Sequence, residues 1–233
     1  MGSIQYSPKI VTDSLVLYLD AANVKSYIGS GTSWYDLSGN GNTGTLSTEN
    51  IGTVSGSGVM AFNGSSDYIQ NTNTNNLISS VGSISYWIKK RNISDSNTIF
   101  HIHEYEGAYT DYLRSHIDSN NLMDIVIEDG DDAKLLFTYD LDDLNQSIWV
   151  NNWMYVMWTQ DGSTLKLYIN GSYINETANT WWTSHLTGII YFKIGYGWNY
   201  LEENISNFMI YNKALSSSEV LQNYNALRSR YGI

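Results

Sequence analysis

The sequence has no cysteine, one proline and only 12 lysines and arginines in 233 residues. Without cysteine there is no disulfide, no thiolate metal site and no cysteine nucleophile. The few basic residues face 23 acidic ones, for a formal net charge of −11. Nucleic acid is therefore excluded as an expected partner, because binding it rests on Lys and Arg neutralising phosphates. An anionic membrane surface is excluded for the same reason. No apolar run approaches the ~18 residues that span a bilayer as a helix, so no membrane insertion is expected. Nor does a basic segment followed by an apolar run open the sequence, so the reading includes no signal peptide.

Aromatic residues are abundant. They make up 14 % of the chain, with 19 Tyr and 8 Trp, while charged residues make up only 15 %. Strands favour such side chains on a half-buried pleated surface, and a disordered chain has the opposite composition. The length suits one sizeable core, since all-β sandwiches of this size are often single units.

The pattern along the chain is a series of short strands separated by turn residues. Residues 1–13 read as an arm that holds Pro8, and residues 14–233 as a single domain. Alternating or apolar runs predict strands at 15–20, 59–62, 67–70, 84–89, 98–103, 112–117, 122–128, 135–139, 153–160, 164–169, 172 onward, 189–194 and 205–211. The turn signals are Asp129-Gly130, Asp161-Gly162-Ser163 and Asn170-Gly171, of the kind that closes tight hairpins. Between the last two, Leu165, Leu167 and Ile169 share one face, and Lys166 and Tyr168 share the other, which predicts a sheet with one wet side. Ser216 followed by Glu219 is a capping box. It opens a helix with Val220, Leu221, Tyr224 and Leu227 on one face. Many short strands with turns at close spacing predict an antiparallel β-sandwich.

Five blocks, in order, resemble the concanavalin A-like lectin/glucanase superfamily in its laminin-G-like branch. They are residues 15–23 (LVLYLDAAN) with 33–42 (SWYDLSGNGN), 62–69 (FNGSSDYI), 83–88 (SISYWI), the hairpin 153–171, and 205–216 (ISNFMIYNKALS) with Glu219. The stretch ending at 222–226 (QNYNA) is similar to such domains in phage structural proteins. The resemblance implies an all-β jelly roll with one short C-terminal helix. It also implies a non-catalytic surface-binding module in a virion or outside a cell. Its implied partners are a surface glycan or other virion proteins, with a homo-oligomer as a further possibility. The alternative reading is a purely structural capsid-decoration or tail-fibre component.

Fold alone does not fix function. The glucanases of this superfamily carry Glu-x-Asp-x-Glu on one strand. Residues 124–128 (DIVIE) have that spacing but place Val126 at the centre, so they read as a strand with Ile125 and Ile127 inward and the acids outward. No catalytic residue is assigned. His101 and His103 share a strand face and read as partly exposed histidines. The pentraxins, on the same fold, hold calcium with acids from two loops, which implies Asp111, Glu202 and Glu203 as calcium ligands. Sugar recognition needs an aromatic plane together with amide or carboxylate partners. Tyr196, Trp198, Asn199 and Tyr200 offer both, and Tyr109 and Asp111 come from the loop placed beside them. Trp181 and Trp182 form a second aromatic pair that serves equally as core or subunit contact. Trp34, Trp87, Trp153 and Trp158 read as packing.

Overall fold

Period-two alternation and the aromatic, β-branched composition are realised as fifteen strands among the described residues of the computed structural model. Those residues are 8–49, 51, 58–71, 74–91, 96–104, 111–130, 132–187 and 190–233. In chain order the strands are β1 (Leu15–Asp20), β2 (Ser33–Trp34), β3 (Gly44–Leu46), β4 (Met60–Ala61), β5 (Ile69–Asn71), β6 (Gly82–Lys89), β7 (Asn97–Glu104), β8 (Tyr112–Ile117), β9 (Leu122–Asp129), β10 (Asp132–Asp140), β11 (Trp153–Gln160), β12 (Thr164–Ile169), β13 (Ser172–Ala178), β14 (Ile190–Ile194) and β15 (Asn204–Tyr211). Seven form one sheet, in the order β1-β15-β6-β11-β12-β13 with β4 also on β15. Eight form the other, in the order β10-β9-β8-β7-β14-β5-β3-β2. Every strand pairing is antiparallel, as a jelly-roll sandwich requires.

Three turns fold as their residues dictate. Asn170 and Gly171 both take positive φ, 50° and 78°, between β12 and β13. The Asp161 carboxylate accepts the N–H groups of Ser163 and Thr164, both at 2.9 Å, and so closes the β11–β12 turn. Gly130 takes φ 64° between β9 and β10.

The inner faces of the two sheets form one core. Ile84, Tyr86, Ile88, Val156, Trp158, Phe208 and Ile210 meet Phe100, Ile102, Leu113, Ile125, Ile127, Phe192 and Ile194 there. Phe208 lies at its centre, stacked on Tyr86 at 5.9 Å and edge-on to Phe100 at 5.6 Å.

The outer face of the seven-stranded sheet is covered as well. Trp87, Tyr155, Met157, Tyr168, Met209 and Tyr211 form a second apolar cluster with Val11, Leu215, Val220 and Leu227. Its cover is helix α1 (Ser217–Leu227), opened by the Ser216–Glu219 capping box, and the 3-10 turn Arg228–Tyr231 that follows. Tyr231 stacks on Trp87 with ring centroids 4.0 Å apart, and Tyr224 stacks on it at 5.7 Å. Arg230 reaches the fully buried Asp20 at 2.7 Å, and Asp20 also accepts the Tyr18 hydroxyl.

This cover corrects two expectations. Tyr168 is buried and donor or acceptor to Ser217 at 3.1 Å, because α1 occupies the side of the hairpin read as wet. The buried stripe of α1 is Val220, Asn223 and Leu227, while Leu221 is 46 % exposed. Asn223 belongs inside because its amide oxygen accepts the Val11 N–H at 2.7 Å and its amide nitrogen donates to the Tyr211 hydroxyl. The same bonds hold down the described part of the segment read as an arm: Val11 is buried, and the Lys9 carbonyl accepts from Gln222. Two short strands, β2 and β3, formed where no strand had been read. The glycine- and serine-rich stretch 52–58, expected from its composition to be a loop, lies apart from Gly58 outside the described residues.

The Asp20–Arg230 pair gives a test. Arg230→Met leaves the buried carboxylate without its counter-charge. The expected loss is about 1–3 kcal/mol, less than for a fully enclosed pair because Arg230 keeps 39 % exposure. Urea melts should show Asp20→Asn partly reversing that loss; equal losses in the single and double variants would show that the pair does not couple.

Candidate binding site

The outer face of the eight-stranded sheet has no helix among the described residues over it, and its side chains differ sharply from those of the sheet opposite. A bulge between Thr98 and Phe100 lets Ile99 and Phe100 both enter the core. After it, Ile102 points inward, and His101 and His103 point outward. On β8 the inward residue Leu113 leaves Tyr112, Arg114 and His116 on the outer face. On β9, Met123, Ile125 and Ile127 go inward and leave Asp124, Val126 and Glu128 outside, as expected from the sequence.

Strand register arranges these groups in rows. Asp124, His116 and Thr98 lie side by side across β9, β8 and β7. Val126, Arg114, His101 and Lys193 form the next row, which ends on β14. Glu128, Tyr112, His103 and Tyr191 form the third. Asp124 lies 3.5 Å from His116. The rings of His101 and His103 are 4.5 Å apart, and His103 stacks on Tyr191.

The histidines are not partly exposed as the sequence suggested: His101 is 1 % and His103 3 % exposed. Burial holds His101 well below the usual imidazole range, and His103, Arg114 and Lys193 push in the same direction. Burial also lowers His103, which the Glu104 carbonyl partly counteracts. Burial lowers the Lys193 ammonium. Burial raises the Tyr112 phenol, and the nearby Glu128 carboxylate adds to the rise.

The loop after β14 frames this face. Gly195 takes φ 85°, and a Cβ there would meet the Phe62 ring at 2.4 Å. The Leu201 N–H donates to the Gly195 carbonyl at 2.9 Å and closes the loop. Inside it, Tyr196 and Tyr200 bridge each other with rings 4.5 Å apart. Gly197 lies against β7, where a Cβ would come within 2.7 Å of Thr98 and 3.3 Å of His101. Glycine there lets the loop lie flat on the sheet and carries Trp198 over Arg114, 4.3 Å from guanidinium carbon to ring centroid. Tyr112 meets the indole edge-on at 6.0 Å. Trp198 nonetheless stays 58 % exposed.

Trp198, Asn199, Tyr200 and Glu202 line a shallow cleft of about 420 Å³ with Gly64, Ser96 and Asn97. The structure therefore brings together three of the residues expected to bind sugar and adds Glu202 to them. Tyr196 faces the other way, against Lys193 at 4.9 Å and Tyr68 at 5.8 Å. Asp111 precedes Tyr112, and its carboxylate accepts the Gly130 N–H, tying it to the β9–β10 turn. Tyr109 lies outside the described residues. Trp181 is not a second exposed platform with Trp182: Trp182 is a core residue, and Trp181 is half-buried under Lys134 and beside His185.

The calcium ligands implied by the resemblance do not assemble. Glu203 is 1 % exposed and accepts the Arg91 N–H, whereas Glu202 faces the cleft and Asp111 the β9–β10 turn. Calcium requires six to eight oxygens. Among the described residues no three His, Cys, Asp or Glu side chains gather to hold a metal. These residues therefore do not fit a calcium site.

Sequence reasoning missed Arg114, Tyr112 and Lys193. A signal was present: in β8 the alternation of Tyr112, Arg114 and His116 with Leu113, Ser115 and Ile117 puts one of only 12 basic residues at the centre of a strand.

Comparison with known proteins places this geometry. A laminin G family model, described as concanavalin A-like lectin/glucanases superfamily, matches residues 63–221. No curated protein matches. Among solved structures, the receptor binding domain of botulinum neurotoxin C/D mosaic serotype superposes with a TM-score of 0.68 at 21 % identity, over 92 % of this chain and 51 % of that one. The binding domain of botulinum neurotoxin DC in complex with SialylT gives 0.67 at 19 %, over 93 % and 52 %. The same domain in complex with rat synaptotagmin II gives 0.64 at 20 %, over 93 % and 52 %. The chain spans about half the length of these structures, and at such identity the likeness is one of fold.

The buried histidines predict a pH dependence. Their folded-state pKa values lie below the unfolded value of about 6.5, so the unfolded chain takes up protons first as pH falls. The stability they contribute is complete above about pH 6.5 and is lost below it, by at most about 1.4 kcal/mol per pH unit for each histidine. Thermal melts of His101→Asn between pH 7 and 5 should show a shallower fall than the parent. Parallel curves would mean that His101 does not titrate out of step with the unfolded chain.

Proposed function

The chain belongs to the concanavalin A-like lectin/glucanase superfamily in its laminin-G-like branch, and from that premise we propose that it is a non-catalytic binding module that takes a carbohydrate at the Trp198 cleft. One observation carries the reading. Trp198 is a large aromatic side chain left 58 % exposed, yet its ring is fixed from below by Arg114 and from the side by Tyr112. An indole held in place costs little ordering entropy when a ligand stacks on it. The apolar face of a pyranose lies on such a ring, and its hydroxyls need hydrogen-bonding groups nearby. Asn97, Asn199, Tyr200 and Glu202 stand around the same cleft. A neighbour of this fold in complex with SialylT supports a sugar-directed role.

The non-catalytic part of the proposal rests on the sheet face. A retaining glycosidase needs two carboxyl groups about 5–5.5 Å apart across the scissile bond. Here Val126 separates Asp124 from Glu128, Asp124 stands against His116, and Glu128 is the cross-strand partner of Tyr112. A module of this kind works at an exposed surface, and we place it outside a cell or on a virion. A protein partner is the second reading, favoured by the neighbour in complex with rat synaptotagmin II.

A glycan array probed with the parent and with Trp198→Ala tests the first reading. The variant should lose roughly tenfold or more in affinity for any glycan the parent retains. Its melting temperature should fall only slightly, because the side chain is 58 % exposed and loses one cation–π and one edge-on aromatic contact. Undiminished binding by Trp198→Ala would move the site elsewhere.

A further inference from the structure

A second cavity, of about 360 Å³, shares no residue with the Trp198 cleft. It lies where Ala22, just past β1, and Ser206, near the start of β15, meet the C-terminal turn Arg228–Tyr231. Its volume is at the lower end of the range of small-molecule sites. Trp153 and Tyr231 are its aromatic lining, with ring centroids 4.9 Å apart and planes tilted by 45°. Val59 and Ala22 add apolar surface. Tyr231 is fixed in place, since it stacks on Trp87 and its hydroxyl accepts the Asn207 amide at 3.1 Å.

Arg230 is the one charged side chain among the described residues that line this cavity. It is held by a carboxylate that is itself out of reach. Asp20 is fully buried and accepts the Ala22 N–H at 3.0 Å, the Tyr18 hydroxyl at 2.8 Å and Arg230 Nη1 at 2.7 Å. That contact uses one nitrogen of a planar fork with five N–H donors. Nε and Nη2 take no acceptor among the described residues, and the side chain keeps 39 % exposure. The pair is thus a fixed dipole with its negative end enclosed and its positive end at the cavity. Ser206 is 1 % exposed and donates its own proton to the Gly58 carbonyl at 2.8 Å. The chemistry of a matching ligand follows. The rings offer an apolar plane, and the guanidinium fork fits a carboxylate through parallel hydrogen bonds. Because Asp20 already balances the charge of Arg230, a monoanion held by hydrogen bonds suits the site better than a dianion such as phosphate.

We propose that this cavity is a second binding site, which takes a small carboxylate whose ring or chain lies on Trp153 and Tyr231 and whose acid group meets the free donors of Arg230. The site is independent of the carbohydrate reading of the Trp198 cleft. A neutral molecule of the same shape gains the ring contact and leaves the fork to water; an acid uses both.

The test follows the NMR signals of the Trp153 indole and the Arg230 guanidinium during titration with matched probes. The pairs are glucuronate with glucose and phenylacetate with phenylacetamide, and inorganic phosphate serves as the dianion. In the parent, at least one acid should bind roughly tenfold or more tightly than its neutral counterpart and shift both signals. Arg230→Lys keeps a charge beside Asp20 but loses the fork, and it should remove most of that advantage. Val59→Trp fills the cavity without touching the ion pair, and it should abolish binding. Preference for glucuronate identifies a sugar acid and preference for phenylacetate an aromatic acid; either supports the site. Equal binding of acids and neutral counterparts, tighter binding of phosphate, or acid binding retained in Val59→Trp overturns it. If the probes move the Trp198 indole signal instead, the acid belongs in the cleft, so the second site falls while the carbohydrate reading stands. If neither variant folds, the shifts in the parent decide.

Discussion

The stacking of Trp87 beneath Tyr224 and Tyr231 is the contact on which the use of the molecule's surface depends. β6 lies in the middle of its sheet, between β15 and β11. Its inward residues enter the common core, and Trp87 points the opposite way. A large ring on the outer face of a central strand would be an exposed apolar patch unless something covered it. The C-terminal helix and turn provide that cover, and the N-terminal segment is bonded to them through Val11 and Asn223. β15 adds to the effect, since the last strand lies between the first and the sixth. The described residues around Val11 and the C-terminal helix are thus committed to one side of the sandwich. The middle of the seven-stranded sheet is thereby covered on both faces, while on the other side of the sandwich Trp198 stays 58 % exposed.

That face shows signs of being built for contact at some cost in stability. His101 and His103 are buried where apolar residues would pack with less penalty, and both are held neutral by that burial. Arg114 is nearly enclosed, against the Trp198 ring and beside Tyr112. The loop above the face obeys the same logic. Two glycines, Gly195 and Gly197, sit where any side chain would strike Phe62 or Thr98, and the close approach they allow is what brings Trp198 down onto Arg114.

Much of the architecture was legible in the sequence because it is written in short-range terms. The strand 153–160, the strand 164–169 and the Asn170-Gly171 turn follow from alternation and positive φ, and the capping box at Ser216 marks the helix start. The strands at Ser33–Trp34 and Gly44–Leu46 were not legible: they are two and three residues long, and their pairing with β5 is decided by the sheet. The buried stripe of the helix was misread at Leu221 for a related reason. Hydrophobic periodicity would put Leu221 inside, but the geometry of Val11 and Tyr211 demands an amide, and Asn223 takes the place. Of the site, the aromatic loop was visible as an unusual string, and three of its residues do share a cleft. The basic row was not visible, since Arg114, His101 and Lys193 are far apart in sequence and only strand register makes them neighbours. Asp111, Glu202 and Glu203 show the opposite error: carboxylates on nearby loops resemble a metal site in one dimension, yet each serves a different element.

The sign of the charge at the centre of this face bears on what chemistry it supports. Hydrolysis of a glycosidic bond passes through an oxocarbenium-like transition state, which carboxylates stabilise and a cation opposes. Arg114 stands in register with Val126, at the middle of the strand on which Asp124 and Glu128 lie. A group placed there to assist that reaction would carry negative charge. A guanidinium under the indole does the reverse: it raises the energy of a developing positive charge and lowers that of a resident negative one. One fold can therefore present either a cleaving groove or a holding one, and in this chain the residue at the centre of the face favours holding.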